Sequence, residues 1–157
     1  MKIKAAIVNN KKKCLQIETS NHTFHLPFVK LRLQPTATNK ITNILVDPEL
    51  AREAVTYQLE SGEEDSISVD AFLDYNKDAD FMIQATLYQL TLTALKLVKS
   101  AQLGKREIAR KLQTSPAQLY RLLDTTNTKK TLDQMFKLIH HLGGNLNVSM
   151  FENDHPL

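Results

Sequence analysis

The sequence lacks several features that would point to particular classes of protein. Its 157 residues include a single cysteine, Cys14, so no internal disulfide can form within one chain, which fits a reducing compartment. The longest uncharged stretch, from Phe81 to Leu95, is interrupted by glutamines and threonines, which favours a core helix over a membrane span. The first residues carry no apolar segment with a cleavage site. We therefore expect a cytoplasmic protein that is not exported.

Motifs for catalysis, metal binding and cofactor binding are also missing. His22 and His25 would point to opposite faces of a strand, and no cysteine or third histidine lies near them in the sequence. The acidic residues between Glu60 and Asp80 do not have the spacing of a calcium loop, and solvated turns account for them. We therefore expect no enzyme activity, no metal and no cofactor. An enzyme with its site in the N-terminal half remains an alternative without a motif to support it.

Charge is distributed unevenly along the chain, although the net charge is only +3. Residues 96–130 contain nine basic and two acidic groups, a local charge of +7. Residues 47–80 contain two basic and eleven acidic groups, a local charge of −9. This segregation indicates a surface that faces a polyanion in the C-terminal half, and a surface that is repelled or meets another partner in the N-terminal half.

The N-terminal half has the pattern of a small antiparallel β-domain. Short alternating segments are separated by turns rich in Asn, Lys, Pro and Gly, and too few helices occur for a βαβ unit. The basic tip Asn9–Lys13 could touch phosphate, although a solvated hairpin tip is the favoured interpretation. The expected strands are Lys2–Val8, Cys14–Thr19, His22–Phe28, Ile41–Val46, Ala54–Leu59 and a last one beginning with Ile67 and Val69.

A long helix, from about Asp80 to Ala101, is predicted between the β-domain and the basic region. Apolar residues occur on two of its faces, so we expect both faces to be buried. Two short helices follow it. In the first, Ile108 and Leu112 form a narrow apolar stripe beside the small Ala109.

The second short helix has a clear start signal. Ser115 suits the N-cap, Pro116 suits the first helical position, and Gln118 lies where it can complete a capping box with Ser115. Three leucines then recur at helical spacing toward the first helix: Leu119, Leu122 and Leu123. The residues left facing outward are Pro116, Ala117, Tyr120 and Arg121. A helix crossed by a second helix with a free outer face is the helix-turn-helix arrangement of DNA-binding domains.

The stretch from Leu103 to Asn127 resembles the helix-turn-helix motif of the Cro/cI (Xre-like) repressors and of the antitoxins that share their domain. The small residue and the four apolar residues of that motif are matched by Ala109, Ile108, Leu112, Leu119 and Leu122. The sequence departs from the motif at the turn, where Gln113 replaces the usual Gly and would need either a left-handed backbone or an adjusted turn. It departs again at Gly104, where the family usually has Ser or Thr.

The resemblance implies which residues meet DNA. A guanidinium can bind guanine through two hydrogen bonds, so Arg121 is the first candidate for reading a base, and Pro116 and Ala117 could contact a thymine methyl group. The further candidates for base contact are Gln118, whose capping role competes, and Tyr120. Candidate phosphate contacts are Lys105, Arg106, Ser115, Asn127, Thr128, Lys129 and Lys130.

The last part of the chain extends the resemblance. Thr131 and Gln134 form another predicted capping box, and the helix that follows ends at Gly143. Asn145 to Phe151 alternates through Leu146, Val148 and Met150, which predicts a final strand. A helix followed by such a strand is similar to the antitoxin branch of the family, in which the strand can pair across a dimer.

Together these patterns predict an α+β protein with two domains. Residues 1–77 would form a β-rich domain that binds a partner or ligand, and residues 78–157 an Xre-like DNA-binding domain that ends in a short strand. The expected function is sequence-specific binding to double-stranded DNA by a homodimeric repressor, whose operator would be an inverted repeat. Two alternatives remain open. The chain could be an antitoxin whose β-domain neutralises a toxin and which represses its own operon, or a ligand-sensing repressor whose β-domain holds a metabolite.

Overall fold

Two antiparallel sheets of three strands each form the first half of the chain. The computed structural model describes residues 1–150. In each sheet the strands follow one another in sequence order, so every neighbour is reached through a short connection. The first sheet contains β1 (Ala5–Asn9), β2 (Cys14–Glu18) and β3 (Thr23–Pro27), and the second contains β4 (Ile41–Val46), β5 (Ala54–Leu59) and β6 (Glu64–Ser68). The prediction of an antiparallel β-rich N-terminal half is confirmed.

Side-chain alternation along the strands builds the core of this half. In β5, Val55, Tyr57 and Leu59 are buried, whereas Thr56 and Gln58 between them are half-buried. The hydroxyl of Tyr57 donates a hydrogen bond of 2.7 Å to the carbonyl oxygen of Leu33, so its ring can be buried without an unpaired polar atom. Other members of the same core are Ile3, Leu15, Ile17, Phe24, Leu26, Leu31, Val69, Phe72 and Leu73.

The prediction that Val69 belongs to a strand is wrong. Strand β6 ends at Ser68, and Val69 begins helix α1 (Val69–Tyr75) with Ser68 as its N-cap residue. Val69, Phe72 and Leu73 are all buried, and their spacing of three and four residues places them on one face of a helix. The alternation of Ile67 and Val69 is only two residues long, so it could not be told apart from the first turn of an amphipathic helix.

Helix α2 (Ala79–Ser100) is the long helix, with bounds within one residue of those expected. Asp78 precedes it and accepts a hydrogen bond of 3.0 Å from the backbone N–H of Phe81, which caps its first turn. Its buried residues are Leu87, Leu90, Thr91 and Ala94. Among the helices of residues 1–150, only α2 is long and apolar enough to cross a membrane. A single helix of this kind is weak evidence for a membrane span, because core helices can have the same length and composition.

The expectation that both apolar faces of α2 are buried is wrong. The face with Leu87, Leu90 and Ala94 enters a core, but the side chain of Tyr88 is 47% exposed. Ile83 is also exposed, and Leu92 and Leu95 are half-buried. Helix α2 therefore has apolar residues on two faces, but only one of these faces is largely buried within the chain.

The chain divides into two compact units between Met82 and Ile83, inside α2 and a few residues after the boundary expected at residue 77. The second unit builds its core from α2 and three shorter helices: α3 (Lys105–Lys111), α4 (Pro116–Leu123) and α5 (Leu132–His141). The buried residues of that core are Leu87, Leu90, Ala94, Ile108, Ala109, Leu119, Leu122, Leu123, Met135, Leu138 and Ile139.

The strand predicted over Asn145 to Phe151 does not form in residues 145–150, and Phe151 lies outside the described residues. Leu146, Val148 and Met150 are all exposed there. A strand needs a neighbour for its backbone N–H and C=O groups, and the described part of the second unit contains no other strand to supply them. Within the described part of one chain, the alternating residues 145–150 therefore have no strand to pair with.

Candidate nucleic-acid interface

Two short helices joined by a tight turn form the candidate interface. Helix α3 buries Ile108 and Ala109, and helix α4 buries Leu119, Leu122 and Leu123. These are the apolar residues that spacing alone assigned to the contact between the helices, except that Leu112 is only half-buried. Their burial directs the remaining residues of α4 outward. The two short helices and the burial of their facing residues are therefore as the sequence predicts.

The turn after α3 has the left-handed backbone, one of the two possibilities that the sequence left open. Gln113 has φ of +51°. Its N–H donates a hydrogen bond to the carbonyl oxygen of Arg110, and the N–H of Thr114 donates one to that of Ala109. This pair of bonds is the Schellman motif, which satisfies carbonyl groups left open at the end of a helix. A residue other than glycine in this conformation is strained.

Both helices that follow the turn are capped by hydroxyl side chains. The Oγ of Ser115 accepts a hydrogen bond of 3.1 Å from the N–H of Gln118, and Pro116 occupies the first turn of α4. At α5, Thr131 and Gln134 form both bonds of the capping box. These caps fix where α4 begins, and so which of its residues stand at its N-terminal end.

Four of the five residues predicted to contact bases lie on the exposed face of α4. Pro116, Ala117, Tyr120 and Arg121 are exposed, whereas Gln118 is half-buried. The ammonium group of Lys105, at the start of α3, lies 4.8 Å from the centre of the Tyr120 ring, a cation–π contact. This contact brings a predicted phosphate-binding residue and a predicted base-contacting residue together.

The loop after α4 is held by its own hydrogen bonds. The Nδ2 of Asn127 donates a bond of 3.0 Å to the carbonyl oxygen of Arg121, and its Oδ1 accepts one from the N–H of Lys129. The Asn127 amide is therefore engaged by backbone on both sides, which leaves little of it for the predicted phosphate contact. The side chains of Thr128 and Lys129 are exposed, as are Lys105, Arg106 and Ser115.

Lys130 does not have the position that its predicted phosphate contact requires. The residue is only 5% exposed, and its ammonium group donates hydrogen bonds to the carbonyl oxygens of Leu122 (3.2 Å) and Asp124 (2.6 Å). Burial lowers the pKa of Lys130, and the charge of Asp124 opposes that shift. Its physical role is to close the C-terminal end of α4, where cations are favoured. Sequence spacing did not indicate this role, because it depends on the carbonyl groups of the folded helix end.

Asp124 forms the first part of the same loop. Its Oδ1 accepts hydrogen bonds from the hydroxyl of Thr126 (2.8 Å) and from the N–H of Thr126 (2.9 Å). These bonds, together with the nearby charge of Lys130, lower the pKa of Asp124, and desolvation opposes them only in part. The carboxylate thus stabilises the bend that follows α4.

A cavity that the sequence did not indicate lies between the turn after α3 and helix α5. Its volume is about 280 Å³, and the half-buried side of Gln118 faces it. Its polar lining comes from Gln113, Thr114, Gln118, Gln134, Lys137 and His141, and its apolar lining from Leu112, Leu122 and Leu138. Within residues 1–150, no group of three or more His, Cys, Asp or Glu side chains is placed to hold a metal ion.

Comparisons of the chain with family models, with curated proteins and with solved structures found no match. The resemblance to the Xre-like repressors therefore depends on the residues of the motif and on the arrangement of α3 and α4. Function is accordingly inferred from the side chains of this site.

Replacing Gln113 with glycine should stabilise the second unit. Glycine adopts positive φ without strain, so we expect Gln113→Gly to raise the free energy of unfolding by about 0.5–1 kcal/mol. The matched control is Arg110→Gly, an exposed position inside α3, where glycine should lower the free energy of unfolding by about 1 kcal/mol. Urea unfolding followed by helical circular dichroism measures both. Destabilisation by both substitutions would contradict the strain at Gln113.

Replacing the buried Lys130 should lower the stability of the protein, whereas replacing the exposed Lys129 should not. In Lys130→Met the carbonyl groups of Leu122 and Asp124 lose their donor, so we expect a loss of about 1–3 kcal/mol in the free energy of unfolding. Lys129→Met removes an exposed charge next to it and should change that value by less than about 0.5 kcal/mol. Thermal unfolding of the two variants checks this. Equal, small effects would show that Lys130 does not close the helix.

Removing the hydroxyl donor of Thr126 should move the titration of Asp124. In Thr126→Val the pKa of Asp124 should rise toward that of an ordinary aspartate, because one of its two hydrogen bonds is removed. A lowered folded-state pKa stabilises the protein above the unfolded-state pKa, and this contribution disappears as the pH falls through the folded-state value. Carboxyl titration by NMR measures the shift, with Thr125→Val as the control that should leave it unchanged.

Proposed function

We propose that this chain is a non-catalytic, sequence-specific regulator of transcription that binds double-stranded DNA as a dimeric repressor in the cytoplasm. The observation that supports the proposal is the outer face of α4, where Pro116, Ala117, Tyr120 and Arg121 are exposed while three leucines pack the opposite face into the core. An α-helix held in this way fits the width of the major groove. The motif resemblance agrees with this use of the helix.

Base reading would fall to the exposed face of α4. The guanidinium of Arg121 can donate two hydrogen bonds to O6 and N7 of guanine, the commonest specific contact in the major groove. Pro116 and Ala117, in the first turn, offer small apolar surfaces to a thymine methyl group. Tyr120, which is stacked against Lys105, would stand beside the sugar-phosphate backbone or a base edge. Gln118, half-buried, is the weakest of the predicted readers.

Phosphate binding would come from exposed groups at the ends of the two helices. Lys105 and Arg106 lie at the start of α3, Ser115 precedes α4, and Thr128 and Lys129 lie in the loop after it. We leave Lys130 and Asn127 out of this set, because their side chains are bound to the backbone of α4 and its loop. Such contacts position the protein on DNA without reading its sequence.

One recognition helix reads only a few base pairs, so specificity requires two copies of it. In a symmetric dimer the two α4 helices would enter successive major grooves about 34 Å apart, and the operator would be an inverted repeat. A second candidate function, ligand-dependent repression, is favoured by the cavity of about 280 Å³ next to the turn between α3 and α4. A metabolite bound there would touch Gln113 and Gln118 and could bias the position of α4.

Selection of bound DNA from a random pool tests the proposal directly. We expect enrichment of an inverted repeat with half-sites about one helical turn apart. If repeated rounds enrich no sequence, the chain is not a sequence-specific DNA-binding protein.

The variant Arg121→Ala should lose specificity more than affinity. On the selected sequence we expect a loss of about 1–3 kcal/mol per half-site, and on random DNA little change, because only the right base accepts the hydrogen bonds that the arginine would donate. Arg110→Ala, another exposed arginine in the same unit, is the matched control and should leave both affinities unchanged. Equilibrium binding at several salt concentrations measures these values. An equal loss on both DNAs would make Arg121 a phosphate contact.

The variant Lys129→Ala should show the opposite behaviour. Its affinity should fall by similar factors on the selected and the random DNA, and the slope of log K against log salt should flatten by about one unit for each phosphate that is no longer neutralised. A loss confined to the selected sequence would contradict phosphate binding by Lys129.

A further inference from the structure

Helix α2 carries an apolar stripe that lies largely outside the core of its own chain. Ala85, Tyr88, Leu92 and Leu95 lie on one side of the helix, which we call the α2 seam. At about 100° per residue this stripe is centred roughly 145° from the buried face of α2. Tyr88 is exposed, and the other three residues are half-buried, with Leu95 bordering the core. The part of the seam around Tyr88 and Leu92 therefore leaves apolar surface accessible, while Leu95 packs partly against the core of its own chain.

The spacing of the seam is that of a coiled coil. Its residues follow one another after three, four and three positions, so they keep to the 3.5-residue period with which two helices pack side by side. This spacing is the same in both directions along the helix. In an antiparallel pair, Ala85 would face the partner's Leu95 and Tyr88 would face the partner's Leu92. A small residue would thus always lie opposite a large one at the two ends of the seam.

The charges of α2 favour the same arrangement. Asp80 is in the first turn, Lys96 and Lys99 are near the end, and the residues from Phe81 to Leu95 carry no charge. All three charged side chains are exposed. A parallel pair would bring lysine next to lysine and aspartate next to aspartate. An antiparallel pair would bring Asp80 next to the partner's Lys99, so complementarity selects a second copy of this helix in the opposite direction.

We propose that two copies of the chain associate through the α2 seam, with their α2 helices antiparallel. This surface supplies the dimer that the proposed function needs, in place of the expected strand after residue 144, which does not form in residues 145–150. The purpose of this dimer in DNA binding rests on the proposed function, but the association through the α2 seam does not. The association itself occurs without DNA and is measured without it.

Sedimentation of the full chain tests the proposal. The wild-type chain should be a dimer at micromolar concentration, and Leu92→Glu should be a monomer, because each copy would place a carboxylate in the apolar contact. Thr93→Glu is the matched control, an exposed neighbour that points away from the seam, and it should remain a dimer. Tyr88→Glu, at a side chain already 47% exposed, should also be a monomer with unchanged helical circular dichroism. A monomeric wild-type chain, or a dimer that survives both seam substitutions, overturns the proposal.

A spin label at residue 100 decides the direction of the helices. With Cys14 replaced by Ala and Ser100 by Cys, the two labels of an antiparallel dimer should lie about 30 Å apart, since roughly twenty residues of helix separate position 100 from the position that its partner faces. In a parallel dimer they should lie about 10 Å apart. The shorter distance overturns the antiparallel arrangement. If the chain is a dimer that enriches no DNA sequence, only the proposed function is contradicted. If it is a monomer that binds DNA, the α2 seam and the dimeric form of the proposed function are contradicted, and DNA binding itself is not.

Discussion

Burial of two short apolar stripes is the constraint on which the candidate interface depends. Helices α3 and α4 have seven and eight residues, too few for either to persist in water by itself. They exist because Ile108, Ala109 and the leucines of α4 share a core with α2 and α5. The same burial decides which residues face outward. Any substitution that weakened this core would therefore disturb α4 even if it left the exposed residues of that helix unchanged.

The ends of α4 are fixed as firmly as its middle. Ser115 caps its first turn, and at its other end Asn127 and Lys130 bind the carbonyl groups of Arg121, Leu122 and Asp124. A helix of eight residues has half of its carbonyl groups at an open end, so these partners matter more than they would in a long helix. In the loop that was expected to contact phosphate, Asn127 and Lys130 therefore stabilise the end of α4. Of the predicted phosphate contacts in this loop, only Thr128 and Lys129 are exposed.

Sequence patterns predicted those parts of the fold that are decided locally. Strands β4 and β5 have the expected bounds, and Gln113 has the left-handed backbone that was one of the two possibilities for its place in the turn. Where the prediction failed, the outcome depended on neighbours that the pattern did not include. Residues 145–150 alternate like a strand but have no neighbouring strand among residues 1–150 to pair with. Val69 lies in a helix because it is buried on the same helical face as Phe72 and Leu73. The burial of Lys130 required the carbonyl groups of a folded helix end, which no spacing reveals.

Charge adds a quantitative reason for a DNA-binding dimer. The segment 47–80, with a local charge of −9, would be repelled by phosphate, so affinity would have to come from the exposed cations of residues 96–130, of which three are predicted phosphate contacts. Lys105, Arg106 and Lys129 would give one protomer about three phosphate contacts, and a salt slope near −3. Two protomers would double the contacts to about six, which corresponds to a loss of roughly a thousandfold in affinity between 50 and 200 mM salt. With only three predicted phosphate contacts, a single copy would hold DNA weakly, and pairing of two copies would strengthen binding at physiological salt.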